Sequence, residues 1–533
     1  MRNKTWRTPR SPSTPIQHHR REVLRLLGIT ALLAPLAACR VTPPQPLPSC
    51  LKGSIGNDAR IDAHIHIFNG TDLQIAGFLK TSVAGEYPSV AGLLQLIADP
   101  LQTFVWKYSP KAAHELNRLN KLTTANAVHS FSSAPFATAL QADRAETAAQ
   151  YSEFLRQQMQ REDVRGEMLR LLRMQPLTST QLPRAFAAPP DAKSARALAR
   201  RIDRGSGIPI FDYLERYFSY RYVNFCEVAQ VFTCQTKPTV DVYVALMVDF
   251  DEPLAPGTET PSRIRDQTTV VSKICELSQG RLFALAPYCP IKDVARHGAS
   301  LVNVLEAWKK PGFAGGKIYP PMGFKAYGNG DARDAALARF YHECIQHDAA
   351  VMAHAEPSLC VYPGPCTTPG FEGWSDALEY VFATERAPLR AALGHFGGIF
   401  GDKPESALWP TEFHNLMQRP AGQNLYADLA YSSEILQPAN QPWAIARLTA
   451  LLRTSGSVLA QRLMYGSDWL MLGLESSWQQ YSAQMESVIS RVEKTSGSAG
   501  FDQRFFSSNA RAWLGLNKPD SLASRNRVVP HTH

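Results

Sequence analysis

Short apolar runs recur at regular intervals in the second half of the chain, and several of them end at a side chain able to bind metal. Lys317, His354, His395 and Asp468 each follow such a run. The steps between them are 37, 41 and 73 residues, the last close to two single steps. One strand and its returning helix in a (β/α)8 TIM barrel have this length, and catalytic residues gather at the C-terminal ends of the barrel strands. The spacing therefore predicts an α/β fold of this type.

The double step predicts one further strand between His395 and Asp468. Residues 424–431 are apolar with polar ends and are assigned as strand 7. Residues 240–250 and 281–287 are rich in β-branched and apolar residues, which is typical of buried parallel strands, and are assigned as strands 2 and 3. With a first strand that ends at His64 and His66, eight strands are predicted.

The distance from His64 to Lys317 is far longer than three strand–helix units require. We therefore predict a large, mainly helical insertion after strand 1, over residues 70–236. Residues 142–174 have helical spacing of apolar positions and no breaker except Gly166. An aromatic segment, residues 211–225, contains Arg216 and Arg221. It can line a cleft above the site or form the packing core of the insertion, and core packing is the favoured interpretation.

Charge adds a separate feature at the N-terminus. The net charge of the chain is +9, but residues 1–38 hold seven Lys and Arg against Glu22, so the remainder carries only +3. This nearly balanced remainder gives no indication of a nucleic-acid partner. Residues 26–38 are uncharged, contain Pro35 and are too short to span a membrane, so residues 1–38 are predicted to be a signal peptide.

The end of this segment resembles the bacterial lipoprotein box, in which Cys39 becomes the lipidated first residue. Arg20-Arg21 resembles the twin-arginine export signal, with His19 and Val23 as departures, and the general secretory route remains an alternative. Residues 39–57 then form a lipidated, proline-rich tether. We predict an exported lipoprotein of the cell envelope, anchored to a membrane at Cys39, with the outer membrane weakly preferred because Arg40 is not the Asp that retains lipoproteins at the inner membrane.

The chain has nine cysteines, and eight remain if Cys39 is lipidated. An even number in an oxidising compartment is compatible with disulfides, and the near pairs are Cys226 with Cys234 and Cys360 with Cys366. Buried thiols are an equally good interpretation.

His64 and His66 are the first candidate metal ligands. Residues i and i+2 of a strand point to the same side, so these two imidazoles can bind one ion together. Such a pair alone is weak evidence for a metal site. The presence of His354, His395 and Asp468 at other strand ends strengthens that evidence. The set predicts a divalent metal site, for which zinc is the favoured ion.

At these residues the chain resembles the metal-dependent amidohydrolase superfamily, especially its amidohydrolase-related branch, over residues 58–516. The family pattern is His-x-His after strand 1, Lys or Glu on strand 4, His on strands 5 and 6, and Asp on strand 8. All have counterparts here in order. Gly316 to Gly323 resembles the family segment after strand 4, and residues 509–516 resemble its closing helix. Residues 517–533 are then a flexible tail.

The resemblance implies one of two metal arrangements. In the first, His64, His66 and Asp468 hold one ion, His354 and His395 hold a second, and a carbamylated Lys317 bridges them. In the second, His64, His66, His354 and Asp468 hold a single ion, His395 is an acid or base, and Lys317 is an ordinary amine.

In either arrangement the ion activates a water at a pKa of about 7, and the resemblance implies that Asp468 takes the water's proton and returns it to the leaving group. Tyr319, Glu356 and Trp469 follow ligands closely and are candidates for substrate contact. The leading hypothesis is hydrolysis of an amide, ester or lactone of a small molecule. A metal-dependent non-oxidative decarboxylase or hydratase is the first alternative, and a non-catalytic envelope lipoprotein is the second.

Overall fold

Eight parallel strands form one barrel sheet in chain order. The computed structural model describes residue 51 and residues 55–126, 130–174, 210–356, 370–400 and 404–529. The strands are β1 Ile61–Ile65, β2 Val242–Leu246, β3 Leu282–Pro287, β4 Phe313–Ile318, β5 Ala350–His354, β6 Ala391–Gly394, β7 Leu425–Asp428 and β8 Leu463–Met464. Every strand residue is buried, as expected for a parallel sheet covered on both faces. The predicted TIM barrel is confirmed.

The barrel closes between β1 and the segment that follows β8. Ala63 donates a backbone hydrogen bond to Tyr465 O at 3.0 Å, His66 donates to Trp469 O at 2.8 Å, and Asp468 donates to His64 O at 2.8 Å. These bonds place His64, His66 and Asp468 at the same rim. The closure itself therefore brings the first and last predicted ligands together.

Residues from all eight strands share one hydrophobic cluster, as expected for the filled interior of a barrel. Trp513 and Leu514 of the helix Asn509–Leu514 belong to the same cluster. The Trp513 indole donates to Val351 O at the beginning of β5, at 3.1 Å. This helix therefore covers the end of the barrel opposite the predicted ligands.

Helices alternate with the strands after β2. They are Ile264–Leu277, Pro290–Ala295, Ala299–Ala307, Ala332–Gln346, Trp374–Glu385, Pro404–Met417, Gln441–Ala460 and Tyr481–Ser496, together with shorter turns. Among the described residues, none of the helices has the length and apolar character that a membrane span requires.

The segment between β1 and β2 is a helical insertion, as predicted. Its longer helices are Pro88–Tyr108, Ala112–Asn126, Ala134–Gln158, Glu162–Met174, Ile210–Arg216 and Arg221–Ala229. Residues 142–174, whose pattern predicts helix, lie in two helices, and the break between them is at residues 159–161. Glu162 and Asp163 begin the second helix, where acidic side chains are favourable at a helix N-terminus.

A buried ion network joins the beginning, middle and end of the insertion. Arg221 donates to Asp72 Oδ2 at 2.9 Å and to Glu115 Oε2 at 2.8 Å, and all three side chains are buried. The Tyr222 backbone donates to Glu115 Oε1 at 2.9 Å. Buried charges persist when they are paired in this way, so this network fixes the insertion as one body.

The aromatic segment is core, in agreement with the favoured interpretation. All of its predicted members are buried, namely Phe211, Tyr213, Tyr217, Phe218, Tyr220, Tyr222 and Phe225, with Arg216 and Arg221. Phe131 stacks on Tyr222 with ring centroids 5.8 Å apart, and Phe104 packs on Phe218. The segment holds the insertion together.

The bonding state of the cysteines differs from one of the predicted pairs. Cys226, Cys275, Cys289 and Cys344 are buried thiols, whereas Cys234 is disulfide-bonded. The predicted pair Cys226 with Cys234 is therefore wrong, because closeness in sequence does not bring two thiols into bonding geometry. Cys39, Cys360 and Cys366 lie outside the described residues, as do the predicted signal peptide and most of the tether.

Candidate metal centre

His64 and His66 both carry a ring proton on Nδ1. The Nδ1 atom of His64 lies 3.0 Å from Asp428 Oδ2, and that of His66 lies 2.8 Å from Leu246 O. A carboxylate and a carbonyl only accept hydrogen bonds, so both Nδ1 atoms carry the proton and donate it. Burial, together with the charge of Lys317, lowers the pKa of His64 well below its usual value, so its ring is neutral. The His64 Nε2 atom therefore keeps its lone pair, and the Nε2 atom of His66 faces the site beside it.

Asp468 faces the Nε2 atoms of His64 and His66. Its Oδ1 atom is 3.2 Å from His66 Nε2 and 3.7 Å from His64 Nε2, and all three side chains are buried. Three acceptors directed at one point repel each other unless a cation or a proton lies between them. The donor set, two imidazoles and a carboxylate, is one that zinc prefers. These residues fit a divalent ion.

His354 and His395 form a second group with Glu356. Their ring centroids are 4.5 Å apart, and the His395 and His64 rings are 4.9 Å apart. His395 Nδ1 lies 3.1 Å from Ala430 O and so donates to it. His354 Nε2 is buried and has no hydrogen-bond partner among the described residues. Ligand atoms of His354, Glu356 and His395 all lie within 4.8 Å of one another.

Lys317 lies on β4 beneath these groups and is only 2% exposed. Its Nζ atom has no hydrogen-bond partner within the described part of the chain. Burial lowers the pKa of Lys317 to about 8, because a desolvated ammonium is unfavourable. The Lys317 ammonium therefore loses its proton more easily than that of an exposed lysine.

Asp428, at the end of β7, was missed by the sequence analysis. Its Oδ2 atom accepts from His64 Nδ1, and its Oδ1 atom accepts from the backbone N–H groups of His395 at 2.8 Å and Ala430 at 3.0 Å. One fully buried carboxylate thus orients ligands from both groups. Strand 7 was recognised from its apolar pattern, and an acidic residue at the C-terminal end of a barrel strand is a signal that could have identified it.

Tyr319 and Trp469 differ in position, although both were predicted to contact substrate. Tyr319 stacks on His354 with centroids 4.6 Å apart and lines the cavity above the ligands. Trp469 instead packs against Trp478 at 4.3 Å and donates to Asn224 O, and it does not line this cavity. Asp468 and Leu470 have left-handed backbone conformations, so the chain turns here instead of continuing as a strand. The place of Trp469 directly after a candidate ligand therefore did not predict where its side chain points.

The cavity has an empty volume of about 350 Å³. Its polar lining consists of His66, His354, His395 and Asp468, and its remaining lining, called the apolar wall, consists of Phe68, Phe78, Val248, Phe250, Tyr319 and Met471. Burial raises the pKa of Tyr319 well above its usual value, and the carboxylates of Asp468, Glu356 and Glu86 raise it further. The Tyr319 hydroxyl therefore stays protonated at ordinary pH.

Comparison with known proteins gives one family match. Residues 291–516 match the amidohydrolase family model. Among solved structures, the chain is similar to an amidohydrolase from Burkholderia multivorans with bound HEPES, at 15% identity and a TM-score of 0.34, over 52% of this chain and 84% of that one. No curated protein sequence matches the chain significantly.

Proposed function

We propose that this chain, which belongs to the amidohydrolase family over residues 291–516, is a metal-dependent hydrolase that cleaves an amide, ester or lactone bond of a small molecule. The observation that carries the proposal is the convergence of His64 Nε2, His66 Nε2 and Asp468 Oδ1, buried atoms that lie within 4.8 Å of one another. Such a set fits a cation better than it fits a purely structural hydrogen-bond network.

The division of ligand atoms into two groups supports two ions. His64, His66 and Asp468 would hold the first, and His354 and His395 the second. The buried Nζ of Lys317, which has no hydrogen-bond partner among the residues that the structure describes, is compatible with a carbamate that bridges them. The alternative is one ion held by His64, His66, His354 and Asp468, with His395 as an acid or base. Zinc is the ion that these donors favour.

A divalent ion bound here would polarise the substrate carbonyl and lower the pKa of water to about 7. The protein supplies the remaining functions. Asp468 accepts the proton that the attacking water loses and returns it to the leaving heteroatom as the bond from that atom to the carbonyl carbon breaks. Asp428 keeps His64 in the tautomer that presents Nε2. Tyr319 and the apolar wall position the substrate and exclude water.

The test combines metal analysis with a hydrolysis panel. We expect the purified full chain to contain one or two divalent ions and to hydrolyse at least one member of a panel of esters, lactones and amides. Asp468→Asn should lose both metal and activity, whereas the exposed control Asp520→Asn should lose neither. Metal-loaded protein that hydrolyses no member of the panel would support the non-catalytic alternative.

The decarboxylase or hydratase alternative uses the same scaffold and a single ion. Product analysis separates it from hydrolysis, because a decarboxylase releases carbon dioxide from a carboxylated aromatic compound and incorporates no oxygen from water. Hydrolysis in ¹⁸O-labelled water should place the label in the acid product. Release of carbon dioxide without label would replace our proposal.

We further propose that the chain is exported and anchored through Cys39, with residues 1–38 as its signal, 39–57 as its tether and 58–516 as the catalytic barrel. The disulfide at Cys234 supports an oxidising compartment. In a bacterial host, the chain should take up labelled palmitate and sediment with membranes, and Cys39→Ala should abolish both. Palmitate-free protein in the soluble fraction would contradict the anchor.

A further inference from the structure

The apolar wall of the cavity carries information about the substrate. We propose, on the basis of the proposed hydrolytic function, that the substrate is an uncharged carbonyl compound whose compact aromatic or apolar body packs on this wall, and that compounds with a negative charge on that body are excluded. The wall consists of Phe68, Phe78, Val248, Phe250, Tyr319 and Met471, none of which has a charged side chain.

The wall is a continuous aromatic surface that leads to the ligands. The Phe78 and Phe250 rings lie 5.6 Å apart, Phe250 and Tyr319 lie 5.1 Å apart, and Tyr319 stacks on His354 at 4.6 Å. Aromatic groups pair favourably at such distances. A flat substrate body next to the scissile carbonyl would therefore extend along this surface away from the ligands.

The insertion supplies part of this surface. Phe78 begins the helical segment Phe78–Val83, and Phe68 lies just after β1, with its ring 6.1 Å from that of His66. Phe68 and Phe78 both line the cavity and narrow the space above the ligands. The insertion thus limits the substrate to a compact molecule.

The charges around the wall disfavour anions. The carboxylates of Asp468, Glu356 and Glu86 all act on Tyr319. Lys317 Nζ lies 5.9 Å from the Tyr319 ring, but Lys317 does not line the cavity, and the described lining residues include no lysine or arginine. An anionic group at the end of the body away from the ligands, and so away from any ion they hold, would lose its hydration on entry without gaining a cationic partner.

The first test compares two esters that differ in charge at the far end of the ring. They are 4-acetoxybenzamide, which is neutral, and 4-acetoxybenzenesulfonate, whose sulfonate is a weak metal ligand. Each kcat/KM is divided by the hydroxide-catalysed rate constant of the same ester, which removes the difference in leaving group. We expect the neutral ester to be favoured by about 100-fold, since like charges in an enclosed site cost several kcal/mol.

Variants of the wall should change this ratio. Met471→Lys places a cation in the wall and should reduce the preference for the neutral ester about tenfold. Phe78→Lys is the second variant, and circular dichroism establishes that each is folded. Val302→Lys, on the exposed face of the helix Ala299–Ala307, adds the same charge outside the cavity and should leave the ratio unchanged.

Binding separates this inference from the proposed function. Saturation-transfer NMR on the purified full chain would compare the amides 4-acetamidobenzamide and 4-acetamidobenzenesulfonate. Equal normalised cleavage of both esters overturns the inference while hydrolysis stands. Cleavage of neither ester and of no member of the hydrolysis panel, with binding of the neutral amide alone, removes the proposed function while the charge selection stands. Equal binding of both amides, or binding of neither, overturns the inference.

Discussion

Replacing Asp428 by Asn should disable the metal site by changing the tautomer of His64. The carboxylate accepts three hydrogen bonds, two of which come from the backbone N–H groups of His395 and Ala430 at 2.8 and 3.0 Å. Those donors cannot change, so the amide oxygen of Asn would face them and its NH2 group would face His64 Nδ1. His64 would then accept at Nδ1 and carry its proton on Nε2, the atom that faces Asp468.

The expected loss of metal affinity follows from this change in the His64 tautomer. Partners that orient metal-binding histidines typically contribute 10–100-fold to metal affinity, or about 1.4–2.7 kcal/mol. Competition titration with a zinc-binding indicator should therefore show this loss for Asp428→Asn, and the exposed control Asp520→Asn should show none. Imidazole ¹⁵N shifts of the metal-free protein should report the exchanged proton on His64. Unchanged zinc affinity in a folded variant whose His64 tautomer has switched would refute the reasoning.

Three further predictions concern the scaffold. Arg221→Ala leaves Asp72 and Glu115 buried without their partner, which should lower the free energy of unfolding by about 3–5 kcal/mol. Urea denaturation measures this change, and a loss of less than about 1 kcal/mol would show that the network is not stabilising. Trp513→Ala should cost about 3–5 kcal/mol by opening the bottom of the barrel, and an unchanged melting temperature would contradict this. Burial raises the pKa of the Cys226 thiol to about 12, so it should react with thiol reagents only after unfolding, and rapid labelling of native protein at neutral pH would be inconsistent with this position.

The sequence predicted the barrel because its ligands mark the strand ends. Lys317, His354 and His395 are on or directly after β4, β5 and β6, as the steps between them required. Strand limits were less well predicted: residues 240–250 were expected to be extended, yet β2 is Val242–Leu246. Apolar residues continue past the strand because Val248 and Phe250 line the cavity, and a hydrophobic pattern does not distinguish the two environments.

The side-chain positions that the sequence did not predict depend on contacts distant in sequence. Asp428 is 364 positions from His64, and only the closed barrel shows that the two are bonded. Trp469 follows a ligand directly but turns into the core. In both cases side-chain direction is set by tertiary packing, on which local residue types have little influence.

Two of the proposed ligands occupy backbone conformations that strand geometry does not provide. His395 has φ 67° and Asp468 has φ 55°, in the left-handed region that non-glycine residues rarely adopt. Such residues cost about 1–3 kcal/mol each and persist where their surroundings hold them. Here the holding contacts are backbone hydrogen bonds, from His395 N to Asp428 Oδ1 and from Asp468 N to His64 O, both 2.8 Å. Each strained ligand is thus fixed by a partner at the end of another strand, so the barrel orders the donor set before any ion arrives.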